Sequence, residues 1–185
     1  MFYIFIFKLL KDIHKSLFRS FLLAIPIFFV LLWIARTGRA KPVRRPWHLC
    51  IKAAGLALAL AAILAMTLLN REIGAYSKSF ELDFLWSYRA ALFKGNLGLA
   101  AEILENILLF IPLGFMLPVF FSFFERARHT VLAGLLLSAT VELIQGFTAM
   151  GLFEFDDIFN NTMGTLVGFF LWAMIKKIAT IYHST

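Results

Sequence analysis

Apolar residues run through this chain in unbroken blocks separated by short charged links. The blocks fall at 21–35, 49–69, 103–124, 130–150 and 158–175. Each approaches the roughly 20 apolar residues a helix needs to cross a bilayer. None alternates apolar with polar positions, which sets aside the strands of an outer-membrane barrel. The pattern predicts an all-α, polytopic transmembrane bundle of about five spans. Pro26 lies inside the first block, where a spanning helix tolerates proline if its neighbours satisfy the freed carbonyl, and Pro112 with Gly114, ahead of Pro118, predicts a kink in the third. Residues 1–20 mix apolar positions with Lys8, Lys11, Lys15 and Arg19. They lack the small-residue cleavage site of a signal peptide and read as an interfacial helix or an extension of the first span. The remainder, 21–185, reads as one membrane domain. The long connection at 70–102 is amphipathic in its middle (Phe80, Leu82, Phe84, Leu85, Trp86, Tyr88) and predicts a segment resting on the membrane surface.

Composition turns this pattern into a requirement. The chain has 185 residues, 61% of them hydrophobic and 16% charged, with a mean hydropathy of +0.84. Soluble domains run about 45–50% apolar and about 25% charged, so lipid is the solvent. One cysteine, Cys50, excludes a disulfide framework. The net charge of +7 reports topology rather than nucleic acid, because basic residues gather in cytoplasmic loops. Arg36, Arg39, Lys41, Arg44 and Arg45 follow the first span, Arg126 and Arg128 lie between the third and fourth, and Lys176 and Lys177 follow the fifth. These put one side in the cytoplasm and give the other side the acidic turn of Glu154, Asp156 and Asp157. The basic amino terminus opposes this arrangement, so a first element with both ends inside is the alternative there.

Few polar residues enter the apolar blocks, and they fall in stripes. Glu102, Glu105 and Asn106 share one helical face at the start of the third span. Ser138, Glu142 and Gln145 share a face of the fourth, and Asp157 and Asn161 a face of the fifth. The topology puts all three stripes in the outer half of the bilayer, with Glu142 about 12 Å from the outer end of its helix. An ionisable side chain at that depth costs several kcal/mol unless it faces partners. Asn106, Ser138, Glu142, Gln145, Asp157 and Asn161 therefore form the candidate functional cluster. Helix glue is the plainer reading of Gln145 and Asn161, and Glu102 and Asp156 read as interfacial charges. Gly134 with Ser138, and Gly164 with Gly168, have the small-xxx-small spacing that lets helices approach closely.

Three segments of this region resemble the VanZ-like family of membrane proteins. They are Asn106 to Phe115, with Phe110, Pro112 and Gly114; Ser138 to Gln145, with Glu142; and Asp157 to Gly164, with Asn161 and Thr162. They occur in the family's order and spacing, and the resemblance covers about residues 97–175. It implies a multi-pass protein of the bacterial cytoplasmic membrane, in a family whose founding member is linked to low-level resistance to the glycopeptide teicoplanin. Family members often carry an arginine just before the acidic run; this chain has Met150, Gly151, Leu152 and Phe153 there.

Residues and resemblance together predict a non-enzymatic or undefined envelope protein whose cluster binds a membrane lipid or lipid-linked envelope precursor. No cofactor, metal or nucleic acid is expected. The alternative is a membrane enzyme using Glu142 and Asp157 as acid and base or as metal ligands. The cluster lacks histidine, cysteine or an evident nucleophile, and His14, His48, His129 and His183 fall elsewhere. A transporter needs alternating access, which five spans without an inverted repeat do not provide in a monomer; a homo-oligomer leaves that route open.

Overall fold

The computed structural model describes residues 2–43, 45–76 and 80–182, with residues 2–15 described by backbone alone. The amino-terminal side chains, His14 among them, together with Arg44 and His183, lie outside the described residues. Among the described residues, six α-helices account for most of the length: α1 (Phe2–Arg36), α2 (Pro46–Leu64), α3 (Trp86–Phe93), α4 (Leu97–Phe120), α5 (Ala127–Thr148) and α6 (Phe155–Tyr182). Five stretches among the described residues are long and apolar enough to cross a membrane: Ser16–Arg36, Pro46–Leu69, Leu97–Phe120, Ala127–Thr148 and Phe155–Tyr182. The short α3 lies in the long connection.

Local chemistry sets the helix boundaries. Pro46 opens α2 at a position where its missing N–H costs nothing. Asn96 starts α4 six residues before the apolar block, its Oδ1 accepting from the amides of Gly98 and Leu99 at 3.1 and 3.3 Å. Phe121 turns extended and ends α4 although the apolar run continues. Asp156 and Asp157 occupy the first turn of α6, where negative charge suits the helix dipole. Pro112 and Pro118 sit inside α4 without ending it.

The helix α1 is one uninterrupted rod that crosses the bundle. Its Arg19 Nη1 donates to Leu69 O at 2.5 Å and Asn70 Oδ1 at 2.8 Å, at the far end of α2. Arg36 lies about 25 Å away along the helix, beside the start of α2. The arrangement with both ends of the first block on one side is therefore not the one adopted. The basic stretches do assemble at one end. Glu125 accepts from Lys41 at 2.6 Å and Lys176 at 2.5 Å, and these pairs hold its carboxyl below the usual carboxylate range. Both ammonium groups also lie over the Trp172 ring, at 5.3 and 5.0 Å.

Glycines bring α4 and α6 together. A Cβ at Gly164 would lie 2.1 Å from Ile107 O, one at Gly168 2.1 Å from Ile111 O, and one at Gly114 2.0 Å from Thr165 O. Only glycine permits that backbone contact. Gly134 of α5 meets the Thr165 side chain in the same way. Beside this seam, α2 and α4 bury Leu56, Ile63, Phe110, Leu113 and Phe120 as the apolar core.

Candidate functional site

At the end opposite the basic residues, the chain between α2 and α4 folds over the helix ends. The segment Ala65–Leu69 closes α2 with a π turn, and polar side chains take up carbonyls there. Gln145 Nε2 donates to Thr67 O at 2.7 Å, beside the Arg19 contacts. Gly74 and Tyr76 then donate backbone hydrogen bonds to Thr148 O and Ala149 O at 3.1 and 3.0 Å. Phe80–Glu81 (β1) pairs in parallel with Phe153–Glu154 (β2), and Phe80 packs on Phe147 and Phe153. The connection thus seals the tops of α5 and α6.

The same connection is docked on α6 by polar groups. Asp156, expected as an interfacial charge, is fully buried. Its carboxylate accepts from Leu85 N at 2.6 Å, Ser87 N at 2.9 Å and Ser87 Oγ at 2.6 Å. Leu85 itself adopts a left-handed conformation and offers no side-chain cap. A residue 70 positions away along the chain therefore caps α3. Tyr88 OH donates to Asn160 Oδ1 at 2.5 Å, and Phe84 meets Phe155 and Phe159 edge-on. The aromatic middle of the connection faces α6, while Leu92, Phe93 and Leu97 remain exposed.

Under this cover lies a polar pocket of about 330 Å3, lined by Arg71, Tyr76, Glu102, Glu105, Asn106, Gly151, Leu152, Glu154 and Asp157. Asn106 Nδ2 donates to Asp157 Oδ1 at 2.6 Å, joining α4 to α6 at its floor. Gly151 leaves room for the Arg71 guanidinium, since a Cβ there would lie 2.3 Å from Nη1. The stretch 150–153 carries no arginine of its own, and Arg71 brings one against it from the end of α2. Among the described residues, Arg71 is the single cation beside four lining carboxylates. Burial first, then the charges of Asp157 and Glu102, push the Glu154 carboxyl up to about 7, with Arg71 opposing.

The six candidate residues divide by place. Asn106 and Asp157 line the pocket. Ser138, Glu142, Gln145 and Asn161 lie behind it, buried between helices. Glu142 Oε2 accepts the backbone N–H of Glu154 at 3.0 Å, and Asn161 Nδ2 donates to Ser138 Oγ at 2.8 Å. Glu142 braces the turn that carries Glu154; Gln145 and Asn161 tie helices together. Glu102, expected as an interfacial charge, stands on the rim. The sequence pattern did not single out Arg71, Tyr76, Gly151 or Glu154 as pocket residues. Among the described residues no three His, Cys, Asp or Glu side chains are placed to share a metal ion.

The pocket and the glycine seam occupy the part of the chain where a comparison with known proteins is decisive. A family model described as VanZ/LLP1 matches residues 56–176. The chain belongs to the VanZ/LLP1 family. It is also 33% identical over 79 residues to the protein named Protein VanZ from Enterococcus faecium. That alignment covers 41% of this chain and 47% of the relative, so about half of the relative's length is matched. No solved structure matches. The VanZ/LLP1 assignment and the five apolar helices together make this a multi-pass membrane protein. The matched residues hold α4 and α5 entirely and α6 as far as residue 176, together with every residue that lines the pocket.

Proposed function

We propose that this VanZ/LLP1 protein works in the bacterial cytoplasmic membrane, its polar pocket on the outer side. There it binds the head of an amphiphilic ligand, a membrane lipid or a lipid-linked envelope precursor, and lowers susceptibility to teicoplanin. The observation that carries this reading is the pocket itself, with the Arg71 guanidinium facing carboxylates at the level where helices end. Arg71 offers a two-pronged donor to a phosphate oxygen. Glu102, Glu105 and Asp157 accept from hydroxyl or amine groups on the same head. Asn106 fixes the Asp157 carboxylate, so its geometry is set before a ligand arrives. A head bearing both an anionic phosphate and hydrogen-bond donors fits this mixed lining better than a simple anion, which the acids would repel.

The test is teicoplanin susceptibility of cells expressing wild-type protein, Arg71→Gln or Asp157→Asn at matched membrane levels. Removing a charged hydrogen-bonding partner costs about 1.5–3 kcal/mol, roughly tenfold or more in affinity. Both variants should therefore return susceptibility towards that of cells lacking the protein. Full protection by both would sink the pocket as the functional site.

A further inference from the structure

An apolar corner stands where α3 gives way to α4. Gly95 adopts a left-handed conformation, and the amides of Lys94 and Asn96 both donate to Ala90 O, at 3.2 and 3.4 Å. The chain turns there at once, and Asn96 caps the start of α4. Leu92 and Phe93 close α3 and Leu97 opens α4, exposed by 77%, 84% and 82%. Residues 84–101 contain no acid. Their two cations are Arg89, paired with Asp83, and Lys94, with which no carboxylate pairs among the described residues. Phe84 and Tyr88, from the aromatic middle of the connection, pack on α6 and leave this corner outside.

Depth and continuity decide what covers it. Phe120 marks the basic end of α4: its carbonyl accepts from Lys41 N at 2.9 Å, and Lys41 pairs with Glu125. Leu97 lies about 35 Å away along the helix at 1.5 Å per residue. With Phe120 at one hydrocarbon boundary, that distance exceeds the roughly 30 Å apolar core but stays within the about 40–45 Å that includes both headgroup layers. The corner therefore falls in a headgroup layer. Leu97, Ala101, Leu104 and Leu108 follow at spacings of three and four on one face of α4, and all four are exposed. On a spanning helix that face meets acyl chains, and the corner prolongs it. A second copy seated on the corner by two-fold symmetry would set the same acid-free stretch against Lys94, whereas lipid phosphate suits it.

We propose that the corner is an interfacial anchor, with Leu92, Phe93 and Leu97 set into the phospholipid headgroup–acyl boundary and Lys94 reaching lipid phosphate. Interfacial elements bury their apolar side about 5–10 Å into that boundary. A lysine stem lies along apolar surface while its ammonium stays among polar groups. The anchor acts on the cover of the polar pocket, because α3 is tied to α6 through Asp156 and Tyr88. It holds that cover at the level of the headgroups. Such an anchor requires only the spans and is independent of what the pocket binds.

Site-directed spin labelling of the full chain in phospholipid nanodiscs tests this. In a Cys50→Ser background, Phe93→Cys carries the label, with Leu104→Cys as the acyl-facing reference and Glu72→Cys as the water-facing one. The measured quantity is accessibility to oxygen relative to a water-soluble nickel complex. At Phe93→Cys this ratio should exceed that at Glu72→Cys and approach that at Leu104→Cys. Should Phe93→Cys not accumulate, Leu97→Cys takes its place under the same criterion. A ratio no higher than at Glu72→Cys would place the corner in water and overturn the anchor. Spin–spin broadening that vanishes on dilution with unlabelled protein would assign the corner to a second copy and overturn it as well.

Discussion

Single residues divide the polar content of this protein into brace and pocket. Glu142 is the most deeply set carboxylate by sequence, yet its observed contact is inward, to the Glu154 amide. Glu154 is the group whose titration reports the pocket. Burial and its acidic neighbours raise its carboxyl from an ordinary 4.5 to about 7. A raised carboxyl favours the fold fully below about 4.5, and that contribution is lost as pH rises through about 7. The thermal midpoint in detergent should therefore fall between mildly acidic and mildly alkaline buffer, and Glu154→Gln should flatten part of that fall. An identical slope in the variant would contradict the placement of Glu154 among Asp157 and Glu102. Asn106 and Asp157 were legible as pocket candidates because both lie on helices, where spacing of three or four fixes a shared face. Arg71 was not. It lies in an irregular turn, and what brings it to Gly151 is a pair of backbone hydrogen bonds from Gly74 and Tyr76 that no local pattern encodes.

The elements tell the same story at their boundaries. Apolar blocks gave the existence of all five long helices, since lipid enforces both length and hydrophobicity. Their ends followed different chemistry: a capping Asn96 ahead of Glu102, an extended Phe121 inside an apolar run, a left-handed Ala149 closing α5. The small-residue spacings at Gly134 and Gly164 were readable and mark real close approaches. The capping of α3 by Asp156 was not, because donor and acceptor come from segments about 70 residues apart. That cap is open to test. Asp156→Ala should destabilise the docked connection by about 1–2 kcal/mol, read as faster amide exchange at Leu85 and Ser87 while α5 stays protected. Unaltered exchange at those two amides would mean the carboxylate is not what holds α3.

From α2 onward charge is largely sorted between the two ends of the bundle, with the basic amino-terminal part of α1 as the exception. Cations crowd one end, where Glu125 is the single acid in the gathered segments, and carboxylates crowd the other around Arg71. Between them the α4–α6 glycine seam and the apolar core provide a stiff frame that places Asn106 and Asp157 in bonding contact. The pocket depends on that frame below and on the 70–93 connection above, which is why neither span prediction nor motif spacing alone outlines it. The most direct test is a cryo-EM map of the protein in nanodiscs of bacterial lipid. Density of a bound amphiphile between Arg71 and the Asn106–Asp157 pair, with Glu142 and Gln145 shielded behind it, is the expected result. A pocket holding only ordered water in that map would contradict the account.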